Sequence, residues 1–399
     1  MRQRRPDLVI RFHSGKNVGV AEERGTLSLT DDLVAEIILK LPVKSVARSQ
    51  CVAKTWHAAI SDDYLRRRLP PQLSVVYFPD DPSTAAHGNN QGPRFASGGG
   101  EGGLLEDCDL SFLPFKQDDA GAAAAVVCDA CNGLLLLRAA ARFVVADPVT
   151  RRWAALPPPP SDDAMLSVLA FDPSTSGARH GYHVVNFTGW RDRGARLEVF
   201  SSAAGAWARR DADFGDVGAD DLLCGSVHVH GGAVYILAAG TDRAVRMDLA
   251  AGDDDELVAC TVVRLPEPVD GDGRVAHSGG RLHYVASDGE LLKVWVQLDD
   301  EGQSSWRLKH AVKIDDVVEG ACGGGEVRFL ALHPEKDAVY LWSPWKLVEY
   351  DLVRNEVTGA WQFGGKDHNN VQKNRVVKTC LVPSSFYLSD CLADRRVQS

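Results

Sequence analysis

Residues able to do chemistry are sparse in this 399-residue chain, and none falls into a complete catalytic or metal-binding pattern. Cys128-x-x-Cys131 could open a zinc site, since zinc takes thiolates at that spacing, but no second Cys or His pair follows at finger or ribbon distance. The turn signal Asn132-Gly133 follows at once, which places both sulfurs at a strand end. His228 and His230 share one face of a predicted strand, and His180-x-x-His183 is a loop pair; neither has a third ligand nearby in sequence. The acidic run Asp253-Asp254-Asp255-Glu256 lacks the ligand spacing of a calcium loop and is read as solvated. No G-x-S-x-G, H-E-x-x-H, phosphate-loop or dinucleotide fingerprint occurs. The sequence therefore predicts no catalytic residue, no metal set and no cofactor.

What remains suits contact rather than bond chemistry. Trp190, with Arg191, Asp192 and Arg193 after it, falls in a predicted inter-strand loop. The segment Trp342-Ser343-Pro344-Trp345 forms another. Tryptophan and arginine are the commonest interface anchors, so Trp190, Arg191 and Trp345 are the candidate substrate-binding residues. The alternative for Trp342 and Trp345 is packing between neighbouring sheets. The segments Ser202–Trp207 and Gly302–Trp306 carry parts of the S-x-D-x-G-x-x-W box of sialidases. The Asp is missing from the first and the Ser from the second, and propeller glycosidases need converging carboxylates.

Composition bounds the class of protein that must position these residues. With 45% hydrophobic residues, 25% charged and nine tryptophans, the chain has an ordinary globular profile. A formal charge of -10 disfavours nucleic acid and anionic membranes as partners, because both demand a positive field. No apolar run approaches the roughly 20 residues that span a bilayer. The N-terminus, MRQRRPDLVIRFHSGKN, has too short an apolar run for a signal peptide and is read as a disordered arm over 1–26. Nine scattered cysteines argue against a disulfide framework and for a reducing compartment, cytoplasm or nucleus.

The first organised element is a helical head over 27–66. Thr30 is placed to cap a helix whose first turn carries Asp31 and Asp32, favourable charges at that end of the dipole. Leu33, Ile37 and Leu41 recur at helical spacing, Val34 and Ile38 widen the stripe, and Pro42 stops it. A second short helix follows from Lys44 to Gln50 around Val46, and a third carries Val52, Trp56, Ala59 and Ile60. Three such short helices cannot bury every apolar residue among themselves. The surplus is expected to form an exposed patch, the usual mark of an interface; packing of the head on the rest of the chain is the alternative.

After a linker at 67–72 the chain turns to β-structure and stays there to 399. Leu73–Phe78 is a predicted first strand. The Gly-, Ser-, Asn- and Pro-rich stretch at about 79–107 is expected to be a mobile insertion, since it cannot offset its ordering entropy. From Ala123 onward short apolar strands recur in a four-strand rhythm, with Gly231-Gly232 and Gly279-Gly280 as two-residue hairpin signals. Such units stacked about an axis are propeller blades, and 327 residues at roughly 50 per blade allow about six. Five copies are visible. The sixth is expected to combine Leu73–Phe78 and Ser111–Phe115 with Val376–Val382 and Phe386–Leu388. The fold class is mainly β with a small α-helical head.

Two resemblances give this architecture a meaning. The head is similar to an F-box, carried by Leu29, Asp31, Leu33, Glu36, Ile37, Leu39, the Leu41-Pro42-Val43-Lys44-Ser45 block, Val46, Arg48, Cys51-Val52, Lys54, Trp56 and Ile60. Thr30 stands where that family usually has proline, and Ala53 where Cys or Ser is common. The body resembles the F-box-associated, kelch-like propeller of plant F-box proteins, those of grasses in particular. Its carriers include CNGLLLL at 131–137, DPVTRRWAALPPPP at 147–160 and FLALHPEKDAVYLWSPWKLVEYDL at 329–352. The resemblance implies an F-box that docks on a Skp-type linker, and through it on cullin and RING subunits, while the propeller captures a protein target for ubiquitination. The implied Skp-binding residues are Leu29, Leu33, Ile37, Ile38, Leu41, Pro42, Val46, Val52 and Trp56. A propeller scaffold acting outside such a complex is the alternative.

Overall fold

The computed structural model describes residues 31–41, 45–46, 49, 54–61, 72–80, 94–98, 104–107, 110–114, 126–139, 142–148, 151–172, 181–249, 256–270, 273–300, 303–316, 327–343, 346–363, 373–382 and 392. Within them lie a small helical head and 24 strands. Leu29, Thr30, Pro42, Val52, His180, Asp253–Asp255, Trp345 and Phe386–Leu388 fall outside the described residues.

The head has helices at Asp31–Leu39 and Lys54–Ser61, with Ser45, Val46 and Ser49 helical between them. The first helix ends as its stripe does: Lys40 and Leu41 donate their N–H groups to the carbonyls of Ile37 and Ile38, each at 3.1 Å. Those tightened bonds satisfy carbonyls that the helix end would otherwise leave open. Val34, Ile38, Val46, Trp56 and Ile60 are buried together, so the head does assemble a core of its own.

The strands group into four-stranded antiparallel blades. The chain enters with β1 (Gln72–Asp80), β2 (Arg94–Gly98) and β3 (Leu104–Asp107). Blade 1 is β4 (Val126–Cys131), β5 (Leu134–Ala139), β6 (Arg142–Asp147) and β7 (Arg152–Ala155). Blade 2 is β8 (Leu166–Phe171), β9 (Tyr182–Arg191), β10 (Gly194–Ser201) and β11 (Ala206–Asp213). Blade 3 is β12 (His228–His230), β13 (Ala233–Ala238), β14 (Arg243–Asp248) and β15 (Leu257–Arg264). Blade 4 is β16 (Arg274–Ser278), β17 (Arg281–Ser287), β18 (Leu291–Asp300) and β19 (Gln303–Lys313). Blade 5 is β20 (Arg328–Leu332), β21 (Ala338–Ser343), β22 (Lys346–Asp351) and β23 (Glu356–Phe363).

The last strand, β24 (Lys373–Val382), returns to pair antiparallel with β1, so a closing blade runs β24-β1-β2-β3 from both ends of the body. The first strands of successive blades line the axis: β12 lies beside β16, β16 beside β20, β20 beside β24, β24 beside β4, and β4 beside β8. Side-chain alternation along β1 then fastens two neighbours at once. Val75 packs with Tyr340, Trp342 and Leu347 of blade 5, whereas Val76 packs with Ala130, Leu135 and Val144 of blade 1.

Two sequence expectations are corrected here. The stretch at 79–107 is not simply a mobile insertion, because β2 and β3 lie within it and complete the closing blade. Ser111–Phe115 does not supply a closing strand; residues 111–114 form turns that bury Leu113.

Outer strands of neighbouring blades also meet. β11 pairs parallel with β15 at Asp211–Leu257 and Ala212–Val258, and β23 pairs parallel with β3 at Gln362–Leu104 and Phe363–Leu105. These contacts supply backbone partners on edges that would otherwise stay open.

At one mouth of the axis, polar bonds link blade to blade. Asn132 donates Nδ2–H to the Phe171 carbonyl at 2.7 Å, and Gly231 donates its N–H to the Asp172 carboxylate at 2.6 Å. His228 Nε2 and His277 Nδ1 lie 3.0 Å apart, and the Ser278 hydroxyl donates to the His333 carbonyl at 2.7 Å. All four bonds come from the ends of inner strands. The turns there carry φ above zero at Asn132 (45°) and Gly133 (87°), and at Gly231 (60°) and Gly232 (76°), the backbone a two-residue hairpin demands.

Burial leaves these histidines averse to protonation. His277 is pushed down to about 4 by desolvation, then by neighbouring His230, with Asp172 opposing and His283 adding a smaller push. His283, only 2% exposed, falls to about 4 chiefly by burial; its hydrogen bond to the Arg281 carbonyl and the Asp337 charge oppose this, and the Lys309 and Arg281 charges push further down. The unfolded chain binds these protons below about pH 6.5 and the folded chain does not. Stability is thus full above pH 6.5 and lost as pH falls toward 4, by a few kcal/mol at about 1.4 kcal/mol per unit shift. Thermal melts from pH 7 to 4 should show a falling midpoint, with His277→Asn and His283→Gln flattening the decline. A midpoint independent of pH across that window would refute this account.

Candidate functional surfaces

The head's first helix is apolar on two faces. Val34 and Ile38 point inward, but Leu33 and Ile37, one turn apart, stay 52% and 36% exposed. Leu41 is partly buried beside the cluster. Leu33 and Ile37 are therefore the described part of an outward apolar face. Ile38, Val46 and Trp56, expected to dock a partner, are instead taken up by the head's own core, at 0%, 0% and 8% exposure. The inward stripe needs a floor, and those three side chains provide it.

In the body, Trp190 is also redirected. It packs partly buried against the main core, its ring stacked on Phe187 with centroids 5.0 Å apart and 22° between planes, and tilted 53° to Phe214 with centroids 6.5 Å apart. The cause is a bulge in β9. Phe187 opposes Leu197 and Gly189 opposes Arg196, so Thr188 is the extra residue. One extra residue reverses the alternation and turns Trp190 onto the face of Phe187. Trp190 is thus a packing residue, and Trp190→Ala should cost roughly 3 kcal/mol of stability. Denaturant unfolding measures this; an unchanged midpoint would return Trp190 to the list of surface anchors.

Arg191 does reach a surface. Its guanidinium grips the Asp211 carboxylate through contacts of 3.0–3.1 Å. Both line a cavity of about 550 Å³ with Ser161, Arg196, Glu198 and Arg209 among its walls. That volume lies within the usual range for ligand sites. Sequence reasoning found only Arg191 of this set, because the other residues come from β10, β11 and the Pro-rich segment after β7.

The other chemistry-bearing residues sort plainly. Cys128 is raised to about 11 by burial, so it is not poised as a thiolate, and the buried Cys131 sets its Sγ 3.3 Å from the Phe171 carbonyl. His228 and His230 acquire a third histidine, His277, whose ring stacks on His230 at 5.0 Å. It lies more than forty residues along the chain, and only the docking of blade 3 on blade 4 unites them. Among the described residues no group of three or more His, Cys, Asp or Glu is placed to hold a metal. Trp342, for which packing was the alternative, is 6% exposed in the cluster with Val75.

Two family models match this chain. The F-box protein At3g26010-like β-propeller model matches residues 105–384, and the F-box domain model matches residues 26–68. Among curated relatives, Putative F-box protein At1g47790 of Arabidopsis thaliana is 43% identical over 54 residues, 14% of this chain and 14% of its own length. Putative F-box protein At3g10240, also of Arabidopsis thaliana, is 41% identical over 56 residues, 13% of this chain and 14% of its own. The chain thus spans about one seventh of the length of these relatives. A crystal structure of a protein of unknown function from Bacteroides caccae aligns over 78% of this chain and 99% of its own, at 12% identity and TM-score 0.43. A nidogen/laminin complex aligns over 78% and 98%, at 9% identity and TM-score 0.40. Such distant structural likenesses do not bear on function.

Proposed function

Because the chain belongs to the F-box protein At3g26010-like β-propeller family, we propose that it is the substrate-recognition subunit of an SCF-type ubiquitin ligase. The head docks a Skp-type linker, which joins it to cullin and RING subunits, and the propeller holds a protein target. The observation that carries this reading is the two-faced head helix. Its inward face makes a core, and its outward face keeps Leu33 and Ile37 in water, where apolar side chains are expected to find a partner.

The chain breaks no bond in this scheme. Its contribution is proximity: a bound target's lysine is held near the charged conjugating enzyme, turning a bimolecular encounter into an effectively unimolecular one. Affinity capture from plant cells, with full-length and head-deleted baits and with or without proteasome inhibition, tests the reading. Skp-type linker should copurify with the full-length bait alone, and proteins held by both baits should accumulate under inhibition. Linker held equally by the head-deleted bait would refute the docking claim.

A further inference from the structure

We propose that the four prolines at 157–160, which join blade 1 to blade 2, form a docking ridge for a partner domain with a groove of aromatic side chains, independently of the receptor reading above. Covalent geometry sets the shape. Each proline fixes its own φ at about −65°, and a residue that precedes proline is held at extended ψ. Among the described residues no peptide bond is cis, so residues 157–159 lie in a polyproline II helix of about three residues to a turn. Pro157 and Pro160 are thus one turn apart, and the body uses up that edge of the run. Trp207 donates Nε1–H to the Pro157 carbonyl at 2.8 Å, and Arg209 donates from Nη2 to the Pro160 carbonyl at 3.3 Å. Both donors stand on the same face of β11. Trp207 is itself held between the two blades, its ring centroid 6.0 Å from that of Phe143 in blade 1 and 5.4 Å from that of Phe200 in blade 2. Just ahead of the run, Leu156 is buried and donates its N–H to the Phe143 carbonyl at 2.9 Å.

Those bonds fulfil what a connector between blades requires, and they leave the outer edges bare. Pro157, Pro158 and Pro160 are exposed, and among the described residues nothing donates to the Pro158 or Pro159 carbonyl. The ridge therefore offers apolar rings and carbonyl acceptors, and no N–H group. Lacking those donors it cannot take up an added β-strand, and a convex ridge cannot seat a helix. A groove of aromatic rings suits it, because the rings stack on the prolines while a Trp N–H or Tyr O–H donates to a carbonyl. The run is stiff before it binds, so little conformational entropy is lost on docking. Charge gives the ridge a direction. Exposed Arg151 and Arg152 precede it and exposed Asp162 and Asp163 follow it, so the groove that fits carries acidic residues at one end and basic ones at the other.

The test uses the full-length chain and three purified domains with proline-reading aromatic grooves, of the SH3, WW and EVH1 types. Fluorescence anisotropy of each labelled domain should show saturable binding by at least one. Free decaproline should displace the chain, and the same domain with its groove tryptophan changed to alanine should not bind. Pro158→Glu should weaken binding at least about tenfold with an unchanged thermal midpoint, since a charge then meets the aromatic floor. Pro158→Ala, which allows the same extended backbone but removes one ring, should weaken it less. Binding by none of the three domains, binding that decaproline leaves in place, or equal binding by Pro158→Glu and wild type would overturn the inference.

Discussion

Replacing Leu33 and Ile37 together by aspartate is expected to abolish capture of the Skp-type linker while leaving the fold intact. Both side chains face water, so each change should cost the chain itself within about 0.5 kcal/mol. At an interface the arithmetic differs, because a central anchor contributes on the order of 2 kcal/mol or more, and an aspartate must also be desolvated. Two such losses amount to roughly a thousandfold in affinity. Ile38→Ala is the contrasting variant. It opens a cavity in the head core and should cost about 2–5 kcal/mol of head stability, reducing capture by unfolding the platform. Surface plasmon resonance with purified linker, beside thermal melts of each variant, separates the two. If the double aspartate variant binds linker as wild type does, Leu33 and Ile37 are not the docking face.

Ending the chain after Gln372 is expected to unfold the body altogether. That truncation removes β24, whose register with β1 runs from Gln72–Val382 to Asp80–Lys373. β1 then loses its inner partner, and the closing blade can no longer hold Val75 against blade 5 and Val76 against blade 1. Each well-buried apolar side chain contributes about 1.5–3 kcal/mol, and two interfaces of several side chains exceed the 5–15 kcal/mol that typically separates folded from unfolded. The truncated chain should lose its cooperative melt and run as aggregate on size exclusion. A monomer with the wild-type melting midpoint would show that the ring does not depend on β24.

The fold is most legible in the sequence where local pattern and global packing agree. The hairpin glycines, the alternating strands of blades 2 to 5 and the apolar surplus of the head are all local signals, and each has its counterpart in the structure. The pairing of Leu73–Phe78 with Val376–Val382 was also legible, because both are apolar runs left over once the other strands find partners. Most misreadings originate in partners distant along the chain. β2 is RFASG and β3 is LLED; their pairing is supplied by β1 and β23 through backbone groups that composition does not reveal. Trp190, expected in an inter-strand loop, lies instead near the end of β9, where a single bulge at Thr188 turns it inward, and no residue type announces that bulge. Arg196 gave no signal because its neighbours in the cavity come from separate strands.

The two parallel seams between outer strands make the ring mechanically uneven. They join blade 2 to blade 3 and blade 5 to the closing blade, on opposite sides of the axis. The propeller therefore divides into two fused pairs separated by blades 1 and 4, which stand alone. Slow opening of such a ring should travel along the line through those two single blades. Amide hydrogens of β7 and β19 should exchange faster than those at Ala212 and Val258, where the seam locks one blade's rim to the next. A target pressing on the rim would then meet a stiff wall at the seams and a yielding one at blades 1 and 4. The cavity at Arg191, with Asp211 and Glu256 among its walls, sits on the stiff side.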